Sequence, residues 1–153
     1  MSLVFDRFVR AMTGAPPPSA GLGSQIIGYF ADLALVGANL STGYFFPFAG
    51  GVYVLGPLAA TTYGTPLPRA CTISNLYAYS HSSNYNAVIN LTLLKNNVAQ
   101  ALTVQWPIAT SGLIKDTVHS VSFNAGDYGY FELVTPSNTS GTFDFDAFSA
   151  LLV

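Results

Sequence analysis

Two different periodicities divide the chain. In "MSLVFDRFVRAMTG" the apolar Val4, Phe5, Phe8, Val9 and Met12 recur at three- and four-residue spacings, with Asp6, Arg7 and Arg10 on the other side. That spacing predicts a short amphipathic helix. Gly14 is placed to end it, and Pro16-Pro17-Pro18 prevents its continuation. A helix this short is marginal alone, so its apolar face must dock on something. It could fold back on its own domain. The "GAPPPSAGLGSQ" tether favours a docking surface elsewhere.

From residue 25 onward the period becomes two. "IIGYFADLALV" alternates imperfectly, as a strand pair or an extended arm. "GYFFPF" and "GVYVL" are aromatic and β-branched runs separated by Gly-Gly, and Pro47 makes the first an edge or bulged strand. "CTISNLYAYSH" alternates with a phase slip near Asn75. "AVINLTLLK" and "AQALTVQW" flank a Lys95-Asn96-Asn97 turn, followed by "TVHSVSF", "YGYFELV" and "TFDFDAFSALLV". "NAGD" before the penultimate run is a turn, with Gly126 suited to positive φ and Asp127 to capping local N–H groups. About eight short strands at regular spacing predict an all-β antiparallel sandwich or barrel over residues 25–153, preceded by a short helical N-terminal arm over residues 1–24.

Composition changes what that sandwich is expected to do. Charged residues make up 8% of the 153, against about 25% in ordinary soluble domains. A folded monomer of this mass exposes on the order of 7,500 Å², and twelve charged side chains are too few to solvate it in the usual way. The expected remedy is burial of surface against other chains, helped by Ser, Thr, Asn and Tyr. Net charge is −2, and the scattered Arg7, Arg10, Arg69, Lys95 and Lys115 form no phosphate-binding stripe, so no nucleic-acid partner is expected. Apolar stretches are interrupted by Pro47, Gly50, Gly51, Gly56 and Pro57, so no membrane-spanning helix is expected. Asp6, Arg7 and Arg10 break what would be the core of a secretory signal, which implies synthesis in the cytoplasm without export by that route.

Candidate chemistry is sparse. Cys71 is alone and reads as a small buried hydrophobe. His119 lies near Asp116, Ser120 and Ser122, yet no nucleophile elbow accompanies them. Asp144 and Asp146 fall on one face of a strand opposite Phe143, Phe145 and Ala147. They read as a solubilising face before a calcium or acid pair. Asn90 begins a glycosylation triplet in mid-strand and reads as chance. No catalytic residue, cofactor or metal is expected. Tyr77, Tyr79, His81 and Tyr85 in "NLYAYSHSSNYN" form a possible ligand-binding loop for a sugar or receptor, since Tyr combines an apolar face with a hydroxyl; the same residues suit a subunit interface.

The second half also resembles a family. "TPLPRACTISNLYAYS", "INLTLLKNNVAQALTVQW" and "DTVHSVSFNAGDYGYFELV" resemble, in order, the strands of the tumour-necrosis-factor-like jelly-roll domain of phage structural proteins and bacterial surface fibres. Thr72 to Leu76, Lys95 to Asn97, Ala101 to Val104 and Ala125 to Asp127 carry the resemblance, which covers residues 43–153. Asn97 stands where the theme has Gly, and Asn tolerates the left-handed conformation. The resemblance implies a non-enzymatic homotrimer in a virion or surface appendage. Its N-terminal arm (Val4, Phe5, Phe8, Val9, Met12) would be held by a major capsid protein or another virion protein.

Overall fold

The computed structural model describes residues 25–36, 43–48, 64–134, 136 and 140–153. The helical arm of residues 1–24 and the "GVYVL" strand lie outside the described residues. Nine strands are present among them: β1 (Gln25–Val36), β2 (Gly43–Pro47), β3 (Thr65–Pro66), β4 (Cys71–Ser83), β5 (Ile89–Lys95), β6 (Val98–Trp106), β7 (Gly112–Phe123), β8 (Tyr128–Val134) and β9 (Thr142–Leu152). They form two antiparallel sheets, one ordered β1-β9-β4-β7 and the other β2-β8-β5-β6 with β3 added beside β8. Of the sandwich and barrel that the alternation allows, the sandwich is present, and its arrangement is jelly-roll-like, as the family resemblance implies.

The pairings are nested. β5 pairs with β6, β4 with β7, β2 with β8, and β1 with β9. The chain is thus one long antiparallel hairpin whose tip is the Lys95–Val98 turn, rolled until β4 meets β9 and β5 meets β8. At the tip Asn96 and Asn97 take φ of 50° and 68°. Two consecutive left-handed residues make the type I′ turn that matches the twist of the flanking strands. Pro47 ends β2, which is the outermost strand on its side of the described sheet, a place where proline is tolerated.

The inward positions of both sheets meet in one apolar layer. Trp106 lies against Phe143 and Phe145, Phe145 against Phe148, Phe148 against Phe46 and Phe131, and Phe48 bridges Phe131 to Phe123. This aromatic path fills the sandwich with large side chains at ring separations of 4.7 to 6.4 Å, the range in which tilted and edge contacts are favourable. The indole N–H of Trp106 donates to the Gly112 carbonyl at 3.2 Å, so its burial leaves no unpaired donor. Cys71 is buried, as expected, and burial pushes its thiol up while Arg69 partly offsets this.

Two ties join the sheets at their margins. Lys95 of β5 donates to the Ser122 carbonyl of β7 at 2.8 Å, pairs with Asp127 at 3.0 Å and lies 5.4 Å from the centre of the Phe123 ring. Asn96 completes that tie by donating to Asp127 at 2.7 Å and accepting from the Tyr128 N–H. Lys95 is therefore a half-buried strut between two turns, whereas its place in a hairpin tip reads as a plain solubilising charge. The second tie is Asp116 of β7, which accepts the N–H of Thr103 on β6.

Candidate functional site

The outer face of the four-stranded sheet is set by a slip at Asn75. Cys71 and Ile73 point into the core, and uninterrupted alternation would send Tyr77 and Tyr79 after them. Asn75 instead adopts φ of 53°, and the register shifts between Ser74 and Leu76. Asn accepts the left-handed conformation more readily than other non-glycine residues. Leu76, Ala78 and Ser80 now face inward, while Tyr77, Tyr79 and His81 line the outside.

Cross-strand registers extend those tyrosines into rows. Tyr79 pairs with Leu113 on β7 and with Ala147 on β9, which in turn pairs with Phe30 on β1. Tyr77 pairs with Lys115 and with Ser149, and Leu151 pairs with Ile26. Ile26, Phe30 and Leu113 remain 63%, 56% and 41% exposed. The result is an apolar, aromatic strip across all four strands. Ala147 belongs to this strip and not, as strict alternation predicts, to the face of Phe143 and Phe145. The register slips beside it, so that Phe148 reaches the core.

At one end of the strip His81 sits between two carboxylates. Its Nδ1–H donates to Asp146 at 2.8 Å, and its Nε2 is 3.6 Å from Asp144. The two aspartates share a face as expected, but they are half-buried partners of a histidine and not a freely solvated surface. Among the described residues no group of three or more His, Cys, Asp or Glu side chains is arranged to hold a metal ion.

The expected ligand-binding loop is divided by the structure. Tyr77, Tyr79 and His81 belong to strand β4, and Tyr85 is 3% exposed within the core. Polar neighbours in "SHSSNYN" suggest a loop, yet β4 continues to Ser83 because β9 pairs with it to the end. Tyr85 thus cannot meet a ligand beside the other three.

A feature that the sequence conceals lies on β7. Asp116 pairs with Leu76 and Ser120 with Ser74, so Thr117, Val118 and His119 all stand opposite the single residue Asn75. Asp116, itself buried, accepts the N–H groups of Val118 and His119 at 3.1 Å each, the His119 ring N–H at 2.9 Å and the Thr103 N–H at 3.2 Å. Burial raises the Asp116 carboxyl, but the bonds from His119, Thr103 and Val118 outweigh it and hold it below its ordinary value. The bulge so fastened presents Val118 at 87% exposure. The Asp-x-x-His spacing was its faint signal in the sequence. His119 has Asp116 as its hydrogen-bond partner, and among the described residues no serine hydroxyl completes a triad.

No protein-family model matches the sequence, and no curated protein matches it. Among solved structures the chain is similar to the CBM36-1 domain of a multidomain xylanase from the hindgut metagenome of Trinervitermes trinervoides. The identity is 12% and the TM-score 0.45, over 84% of this chain and 96% of that one.

Proposed function

We propose that the protein is a non-enzymatic structural component of a virion, a capsid decoration protein or the base of a head fibre, assembled as a homotrimer through the outer face of its four-stranded sheet. The observation that carries this reading is the strip of Ile26, Tyr77, Tyr79, Leu113 and Leu151 with Phe30, a mainly apolar patch in which Lys115 is the charge opposite Tyr77. Aromatic and aliphatic side chains of this kind favour protein contacts, because their removal from water contributes about 25 cal/mol per Å². A cyclic trimer needs two different patches on each subunit, since its contacts are heterologous. The second patch in this reading is the β7 bulge, whose Val118 is held out by Asp116 and is ready to enter a neighbour without reordering.

The family resemblance of residues 43–153 supplies the virion setting, with synthesis in the host cytoplasm. Residues 1–24 would be the anchoring arm, its Val4, Phe5, Phe8, Val9 and Met12 docking on the major capsid protein or another virion protein. Light scattering on the purified chain tests the assembly: three chains per particle is the expected mass. Deleting residues 1–14 should leave that mass unchanged while abolishing attachment to capsids. A monomeric native chain, or full attachment without the arm, rejects the reading.

A second reading has one observation in its favour. Tyr77, Tyr79 and His81 lie in line on one outward strand face, a platform on which a receptor or glycan could stack. A fibre knob would use them so. Loss of glycan binding on Tyr79→Ala with the mass unchanged would favour it.

A further inference from the structure

On the opposite side of the sandwich, the outward side chains of β5, β6 and β8 make two polar cross-strand pairs beside the Glu132 carboxylate. Gln105 donates through Nε2 to Asn90 Oδ1 at 2.9 Å. The Thr92 and Thr103 hydroxyls are 2.9 Å apart, and Thr103 donates to the Leu91 carbonyl at 3.1 Å. In register, Asn90 stands beside Val134 and Thr92 beside Glu132. Glu132 is half-buried, and among the described residues its carboxylate has neither a side-chain hydrogen bond nor an ion pair. Burial pushes its carboxyl above the ordinary value. The carboxylate is thus partly removed from water without a described protein donor to compensate, and a ligand hydroxyl could supply one.

The existing bonds fix which valences remain. Thr103 has spent its proton on Leu91, so Thr92 donates to Thr103 and both hydroxyls keep lone pairs. Asn90 has used its oxygen and keeps its two N–H donors; Gln105 has used one N–H and keeps its oxygen. Glu132 offers acceptors. A donor is therefore set among acceptors, on strands about 4.8 Å apart. The group that suits such an array is a hydroxyl, which gives one hydrogen bond and receives another.

We propose that this face binds a neutral, hydroxyl-rich saccharide, held by Asn90, Gln105, Thr92 and Glu132, with Val134 against the apolar side of a sugar ring. The spacing of the strands is comparable to the width of a pyranose, so hydroxyls on opposite sides of one ring reach neighbouring strands. Val134 is 37% exposed next to Asn90 and supplies the apolar contact. Charge selects a neutral ligand. Among the described residues of β2, β5, β6 and β8 the charged side chains are Lys95 and Glu132, and Lys95 is committed to Asp127 at the turn. An anionic sugar would meet the Glu132 carboxylate with no free cation beside it. The site is separate from Tyr77 and Tyr79, so it stands or falls independently of the trimer.

The full chain is screened against an array of neutral oligosaccharides, and hits are titrated by calorimetry. At least one neutral oligosaccharide binds, and Glu132→Ala or Asn90→Asp weakens it on the order of tenfold or more, as loss of a hydrogen bond to a charged group or reversal of a donor does. Tyr79→Ala leaves binding intact. Side-chain amide resonances of Asn90 and Gln105 shift on adding the same oligosaccharide to the unsubstituted protein, a readout that no folding defect can imitate. No neutral ligand on the array, binding indifferent to both variants, or binding lost with Tyr79→Ala overturns the proposal.

Discussion

The two outer faces of this sandwich are built on the same alternation and end with opposite chemistry. Outward positions on the four-stranded sheet are Ile26, Phe30, Tyr77, Tyr79 and Leu113, with Lys115 opposite Tyr77 and with His81 and its aspartates at one end. Outward positions on the five-stranded sheet are the Asn90–Gln105 and Thr92–Thr103 pairs with Glu132. Further along that second face, Phe45, Leu94 and Tyr130 are buried in a small apolar cluster of their own, and burial, with Glu132 and Tyr128 nearby, lifts the Tyr130 hydroxyl to about 12. The lesson is that a chain with few charges need not be uniformly adhesive. One face leaves apolar area in water, which favours an apolar partner; the other presents polar side chains with hydrogen-bonding capacity to spare, which favours a polar one.

The largest expected effect separates the faces directly. Tyr79→Glu combined with Leu113→Glu places two carboxylates in the apolar strip and should drop the solution mass from three chains to one. The same two changes at Thr92 and Gln105 should leave the mass of three. Equal dissociation by both pairs would erase the distinction between the faces.

A smaller effect concerns the tie that fastens the β7 bulge. Asp116→Ala leaves the N–H groups of Thr103, Val118 and His119 without their acceptor. The expected loss of stability is about 1–3 kcal/mol, because partly buried donors lose a charged partner. Urea unfolding of the monomeric Tyr79→Glu, Leu113→Glu background measures this without contribution from assembly. A loss indistinguishable from zero would mean that the bulge is not held by this carboxylate.

The smallest effect is a pH dependence at the other tie. The Asn124 N–H, with Asn96 and Lys95, holds the Asp127 carboxyl down to about 2, below its unfolded value of about 3.9. The folded state thus binds fewer protons than the unfolded one between those values, so this contribution is complete above about pH 4 and is lost as pH falls toward 2. Glu132 runs the other way, since a raised folded pKa makes its share fade as pH rises. Unfolding midpoints at pH 5 and pH 3 should differ less in Asp127→Asn than in the native chain. An unchanged difference would remove Asp127 from the tie.

Much of the fold was legible because alternation and turn chemistry are local. The two-residue turn at Asn96-Asn97, the Gly126 turn with φ of 87°, the edge position of Pro47 and the slip near Asn75 all rest on what individual residues tolerate in their own backbone. The site was legible in part. Tyr77, Tyr79 and His81 were identifiable as exposed candidates, but Tyr85 was not separable from them, since an aromatic residue among polar neighbours can belong to a loop or to a core. Lys95 looked solvated for the same reason: its partners Ser122 and Asp127 lie about thirty residues away.

What the sequence alone determined is an all-β antiparallel fold, its hairpin tip, and a low content of charged residues. The roll of the hairpin decided the rest. Bringing β4 against β9 and β5 against β8 created rows of side chains that no sequence spacing records, including Tyr79 with Leu113 and Ala147, and Glu132 with Thr92. Pairing across strands depends on register, and register is settled where one face must be buried. The core therefore chose which residues were left facing outward on each of the two sheets.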